Sequence, residues 1–157
     1  MPNQAPHNTV PQVAHAPIIA VDFDGTITKA NNYPECGEFM PGAIAALKAL
    51  KAVGCTLILW TCREGEPLAA AVEHCRKAGV EFDAVNEQAP QVRELFGGAR
   101  KVFANFYVDD LNVGGFAGWM RTCLHVRLYL IANCNKTSKD VQPLEDVAKS
   151  LIRTEHL

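Results

Sequence analysis

Three short apolar runs in this chain stop on polar or acidic residues, and stretches of helical periodicity separate them. The runs are Ile18 to Phe23 (IIAVDF), Cys55 to Trp60 (CTLILW) and Ala104 to Asp110 (ANFYVDD). Each is too short for a buried helix and rich in β-branched or aromatic residues, so each reads as a buried strand. After the first run, Pro41 opens a helix with Ile44, Leu47 and Leu50 on its stripe, and Gly54 closes it. After the second, Pro67 opens a helix that Gly79 ends. Glu81 to Asn86 reads as a short strand or loop edge, and Gln91 to Phe96 as a short helix stopped by Gly97 and Gly98. This alternation predicts an α/β fold with a mainly parallel central sheet and helices on both faces. Leu124 to Ile131 fits a strand or a helix equally by periodicity. Pro143 to Ile152 reads as a final helix with Leu144, Val147, Leu151 and Ile152 on one face.

In open parallel sheets, ligands bind outside the carboxyl ends of the strands. Asp22 and Asp24, Thr61, and Asp109 and Asp110 all stand where an apolar run gives out, so they are expected to converge on one edge. Burying one carboxylate is costly, and like charges ~4 Å apart repel by roughly 4 kcal/mol at an effective dielectric near 20. A divalent cation offsets that repulsion, and hard carboxylate oxygens suit Mg²⁺. A carboxylate in the position of Asp22 can attack phosphorus, and one in the position of Asp24 can protonate a leaving group and later activate water. Gly25 permits a sharp turn and close backbone approach, and the Thr26 hydroxyl can tie the turn down. Thr61, Arg63 and Lys101 are the candidate donors to phosphoryl oxygens, and Asn86 is a further candidate substrate contact. Each has a plainer reading: a capped turn for the aspartates, a solvated lysine for Lys101 (with Arg100 and Lys77 as rivals), a loop arginine for Arg63 and a turn asparagine for Asn86. Tyr33 and Pro34, in the loop after the first strand, are placed to shape substrate entry.

The totals narrow the setting. At 157 residues, with 48% apolar content and a formal net charge of −2, one domain with a sizeable core is expected, and stable nucleic-acid binding is not. Residues 1–16 are polar and proline-dotted, without a basic start or an apolar run; they read as a loose tail preceding a single domain over 17–157. No stretch approaches membrane-spanning length. Six scattered cysteines with no Cys-x-x-Cys pair argue for reduced thiols in a cytoplasmic protein rather than for zinc.

The order DFDGT, strand-ending Thr, Lys, then DD resembles the haloacid dehalogenase-like (HAD) superfamily, over Ile18 to about Asn112. A narrower likeness is to a small group of bacterial and phage hydrolases of that superfamily. They commonly carry Asp-Asp-Arg-Asn where this chain has Asp109-Asp110-Leu111-Asn112, which leaves the acidic pair in place and removes an arginine. The resemblance implies a Rossmann-like three-layer sandwich and Mg²⁺-dependent phosphoryl transfer. It assigns Asp22 as nucleophile and metal ligand and Asp24 as acid/base with its backbone carbonyl on the metal. Thr61 and Lys101 become the phosphoryl-binding pair, and Asp110 the direct metal ligand with Asp109 beside it. Members often carry a cap domain, but about a dozen residues between Thr28 and Pro41 and about forty between Cys62 and Lys101 leave no room for one beyond the core's own helices. The expectation is a capless phosphohydrolase with an open site, acting on a small phosphorylated molecule such as a nucleotide. A second subunit of a homo-oligomer is the other way to cover such a site. The rival activities are a phosphatase or phosphotransferase acting on polynucleotide ends, and a Mg²⁺-binding regulatory module without turnover. A receiver-type signalling domain does not fit, because there the phospho-accepting aspartate sits on a later strand than the acidic pair.

Overall fold

The computed structural model describes residues 16–29 and 32–154. The expected tail therefore lies outside the described residues except for Ala16, which packs against the core. In chain order the elements are β1 (Ile18–Val21), α1 (Ala43–Ala52), β2 (Thr56–Leu59), α2 (Gly65–Lys77), β3 (Ala84–Val85), a 3₁₀ turn (Pro90–Val92) running into α3 (Arg93–Phe96), β4 (Phe106–Val108), α4 (Trp119–Asn133) and α5 (Gln142–Thr154). The strands form one sheet in the order β3-β2-β1-β4, with every pairing parallel. The α/β sandwich with a parallel central sheet is thus the observed architecture.

Side chains alternate across this sheet as the pleat requires. Ile19, Val21, Leu57, Leu59 and Val108 enter the larger core, shared with α1, α2, α4 and α5. Ile18, Ala20 and Ile58 point the other way, into a smaller core completed by Ala84, Ala89, Val92, Val102 and Phe103. The two faces are unequally covered: the long helices crowd one, and the 3₁₀ turn with residues 102–104 covers the other. Gly42 marks where α5 closes on α1, since a Cβ there would stand 2.6 Å from Leu151 Cδ1.

Several boundaries differ from the sequence-based expectation. The helix after Pro41 begins only at Ala43, with Gly42 at its N-cap in the left-handed region (φ 78°). The helix attributed to Pro67 begins two residues earlier, at Gly65. Pro67 then falls in the first turn, where its missing N–H has no intrahelical partner to lose. Leu124 to Ile131 is the interior of α4: Trp119, Cys123, Val126 and Leu130 are buried at helical spacing, while Leu128 is 58% exposed. Alternation of Val126, Leu128 and Leu130 produced the strand-like pattern, but only a helix can turn Leu128 outward and leave its neighbours inside.

Between Thr28 and Pro41 the described residues form a loop, closed by a bridge between Thr28 and Phe39. The stretch from Cys62 to Lys101 contributes α2, β3 and α3 to the sandwich. Neither insertion point holds a separate domain among the described residues, and no helix among them is long and apolar enough to cross a membrane.

Candidate active site

The register of the sheet sets the site. Val21 lies opposite Leu59 on one side and Val108 on the other, so Asp22 stands level with Trp60 and Asp109. The Asp22 N–H donates to the Val108 carbonyl at 2.9 Å, and the Trp60 N–H donates to the Val21 carbonyl at 2.8 Å. One more residue along each strand, the chain turns away and side chains gather over the sheet edge.

Carboxylate oxygens of Asp22, Asp109 and Asp110 lie within 4.8 Å of one another, all three residues half-buried. The turn after β1 builds this cluster. The Thr26 hydroxyl donates to Asp22 Oδ2 at 3.4 Å and accepts from the Asp110 N–H at 3.1 Å, joining the two acidic loops. Gly25 (φ 80°) makes room: a Cβ there would sit 2.3 Å from Asp110 Oδ2. From below, the buried Trp119 donates its indole N–H to the Thr26 carbonyl at 3.0 Å, so the start of α4 holds the turn. Asp109 Oδ1 accepts from the Leu111 N–H at 2.7 Å. It also borders a cavity of about 140 Å³ against α4, lined by Phe106, Phe116 and His125 among others.

The electrostatics of Asp22 follow from this packing. Burial pushes its pKa up to about 7, against a backbone hydrogen bond at Phe23 that pulls it down; the charges of Asp109, Asp110 and Asp24 push it up further. Three carboxylates that gain nothing from each other, on all-oxygen donors, are the arrangement a hard divalent cation such as Mg²⁺ fits.

Asp24 turns away from the cluster. Its two oxygens accept from Arg63, Oδ2 from Nε at 2.8 Å and Oδ1 from a terminal nitrogen at 2.7 Å, a bidentate pair. Arg63, a candidate donor to phosphoryl oxygens, turns inward as the plainer loop reading has it. It is 1% exposed, and its remaining donors go to the carbonyls of Pro34 (2.7 Å), Glu35 (2.8 Å) and Pro67 (3.5 Å). With all five N–H groups spent inside the protein, it has none left for a phosphate. Asn86 is corrected in the same way. Its side-chain carbonyl accepts from the Thr61 N–H at 2.9 Å and its amide donates to the Arg63 carbonyl at 3.3 Å. It sits at φ 52° and shapes the loop after β2 rather than facing substrate.

Thr61 stands one residue beyond the level of Asp22, on the neighbouring strand end. Its hydroxyl oxygen accepts from the Arg63 N–H at 3.2 Å, which leaves the hydroxyl proton to donate. Lys101 lies in the segment between α3 and β4: its carbonyl accepts at 2.9 Å from Nε2 of Gln88, two residues past Asn86, and its ammonium lies over the Tyr107 ring, 5.1 Å from the centroid. Its rival Lys77 ends α2, beside Glu73. Sequence reasoning passed over Trp119 and the Asp24–Arg63 pair. Neither has a local signal, because the partners are 93 and 39 residues apart.

No protein-family model matches the chain, and no curated protein does. Among solved structures, a conserved protein of Bacteroides thetaiotaomicron is similar at 42% sequence identity, with a TM-score of 0.62, covering 81% of this chain and 98% of that one. At that identity and coverage, the chain belongs to the family of that conserved Bacteroides protein.

Proposed function

We propose that the chain is a Mg²⁺-dependent phosphohydrolase of the HAD type that works through an aspartyl-phosphate on Asp22. The observation that carries this reading is the meeting of Asp22, Asp109 and Asp110, from strand ends more than eighty residues apart, within 4.8 Å. The motif order that resembles the superfamily supports it independently. Asp22, Asp109 and Asp110 would hold the ion. Bound there, Mg²⁺ supplies the positive charge that three carboxylates and a phosphate dianion need to share one crevice.

The chain's own residues account for the rest. An Asp22 oxygen attacks phosphorus, the bond from phosphorus to the leaving oxygen breaks, and that oxygen takes a proton from Asp24. Water then gives a proton to Asp24 and attacks phosphorus, releasing phosphate and restoring Asp22. The proton that Asp24 delivers is taken up from solvent as one of its oxygens gives up its bond to Arg63, and the water step restores it. The Thr61 hydroxyl donates to a phosphoryl oxygen. With no cap at either insertion point among the described residues, the site admits bulky phosphate esters, and nucleotides are the first substrate class to try.

Purified protein is expected to hydrolyse acetyl phosphate and nitrophenyl phosphate with Mg²⁺ and to lose this activity in EDTA. Asp22→Asn is expected to lower the rate by at least about 10³-fold. Tight Mg²⁺ binding without turnover of either compound would replace the enzyme with a regulatory metal-binding module.

A further inference from the structure

Tyr33 is 65% exposed, yet its surroundings hold it in place. Its ring lies against the buried Arg63 guanidinium, 5.3 Å from Cζ to the ring centroid. The carbonyls of the next two residues, Pro34 and Glu35, accept from that same guanidinium. Arg63 also contacts the Phe23 ring, at 4.8 Å, and grips both oxygens of Asp24. One buried cation therefore fixes the side chain beside the nucleophile's strand end and an aromatic ring at the surface. An exposed loop aromatic is ordinarily free to swing, and binding must then order it. Here the backbone on its C-terminal side is pinned and the ring is backed by a cation, so most of that cost is met in advance.

We propose that Tyr33 is the platform on which the leaving group of the substrate lies, and that this leaving group carries a nucleobase. The inference rests on the phosphohydrolase reading for the placement of the phosphate at Asp22. A ring held open to solvent offers a nucleobase a flat surface to stack on. Every base has such a face, so the platform favours a nucleotide over the same ester without its base and does not choose among bases. The fixed Arg63 contact sets where the base rests relative to Asp24, the residue that must reach the leaving oxygen.

The test compares adenosine 5′-monophosphate with ribose 5-phosphate, which is the same ester without the base. Wild-type protein with Mg²⁺ is expected to prefer the nucleotide in kcat/KM by about 10-fold, the ratio one stacking contact produces. Tyr33→Ala should erase the preference by raising KM for the nucleotide alone, and Tyr33→Phe should keep it. A parallel arm needs no turnover: calorimetric binding of adenosine 5′-monophosphate to Asp22→Asn should weaken about 10-fold when Tyr33→Ala is added. Equal loss on both esters, or no loss on either, overturns the proposal. Tyr33-dependent nucleotide binding in a protein that hydrolyses no phosphate would keep the platform and discard the catalytic reading.

Discussion

Asp22 is held in conflict with its surroundings. Its pKa of about 7 in the fold stands above the 3.8 of an unperturbed aspartate. Between those values the folded protein binds more protons than the unfolded chain, so stability falls as pH rises through that window. The contribution of Asp22 to the stability of metal-free protein is therefore fully present below about pH 4 and falls away up to about pH 7, read as the difference between wild type and Asp22→Asn in the midpoint of urea unfolding against pH. Asp22→Asn should flatten that slope and raise the midpoint at neutral pH while it abolishes turnover. Gly25 makes the complementary case. A methyl group there meets Asp110 Oδ2, and the positive φ penalises any side chain. Gly25→Ala should cost about 1–3 kcal/mol in unfolding free energy and weaken Mg²⁺ binding measured by calorimetry. At this scale the sequence was informative where chemistry is written in residue type. Four aspartates and two hydroxyls at strand ends were identifiable before any coordinates. The parts of Arg63 and Asn86 were not, because which partner an exposed-looking polar side chain chooses depends on loops that close only in the fold.

The elements that carry these residues are tied to each other by a few long-range hydrogen bonds. Arg63 joins the loop after β2 to the turn after β1 and to residues 34 and 35. Removing one partner of a buried pair leaves the other uncompensated. Arg63→Met is expected to destabilise the protein by about 3 kcal/mol, seen in denaturant unfolding, and to release Asp24, seen as a fall in kcat larger than the change in KM. Trp119→Phe removes one indole donor and strands the Thr26 carbonyl, at a cost of about 1–2 kcal/mol. The parallel strands were legible because short apolar runs broken by helical stripes have few other solutions. The nature of α4 was not: a stretch with an apolar residue at every second position satisfies both periods until packing decides which residues face out.

For the whole molecule, the acidic cluster links the ends of β1 and β4, so any ion held there binds only the folded chain. At a Mg²⁺ concentration 100 times the dissociation constant, the added stability is about 2.7 kcal/mol, which corresponds to a rise in Tm of roughly 5–11 °C for a domain of this size. Thermal scans with and without Mg²⁺ check this, and Asp110→Asn should shrink the rise. The linkage also has a pH signature: protons and metal compete for Asp22, so the Mg²⁺-induced shift should grow from pH 6 to pH 8. The convergence of distant acids was legible from the rule that ligands meet the carboxyl ends of parallel strands. The uneven cover of the two sheet faces was not, since it depends on how the two last helices stack on α1.

The covalent step tests the account most directly. Protein mixed with Mg²⁺ and acetyl phosphate, quenched in acid within the first turnover and digested, should yield a peptide containing Asp22 that carries one phosphoryl group, removable by hydroxylamine. Phosphate released over many turnovers with Asp22 unmodified at every quench time, or a label on another residue, would contradict it.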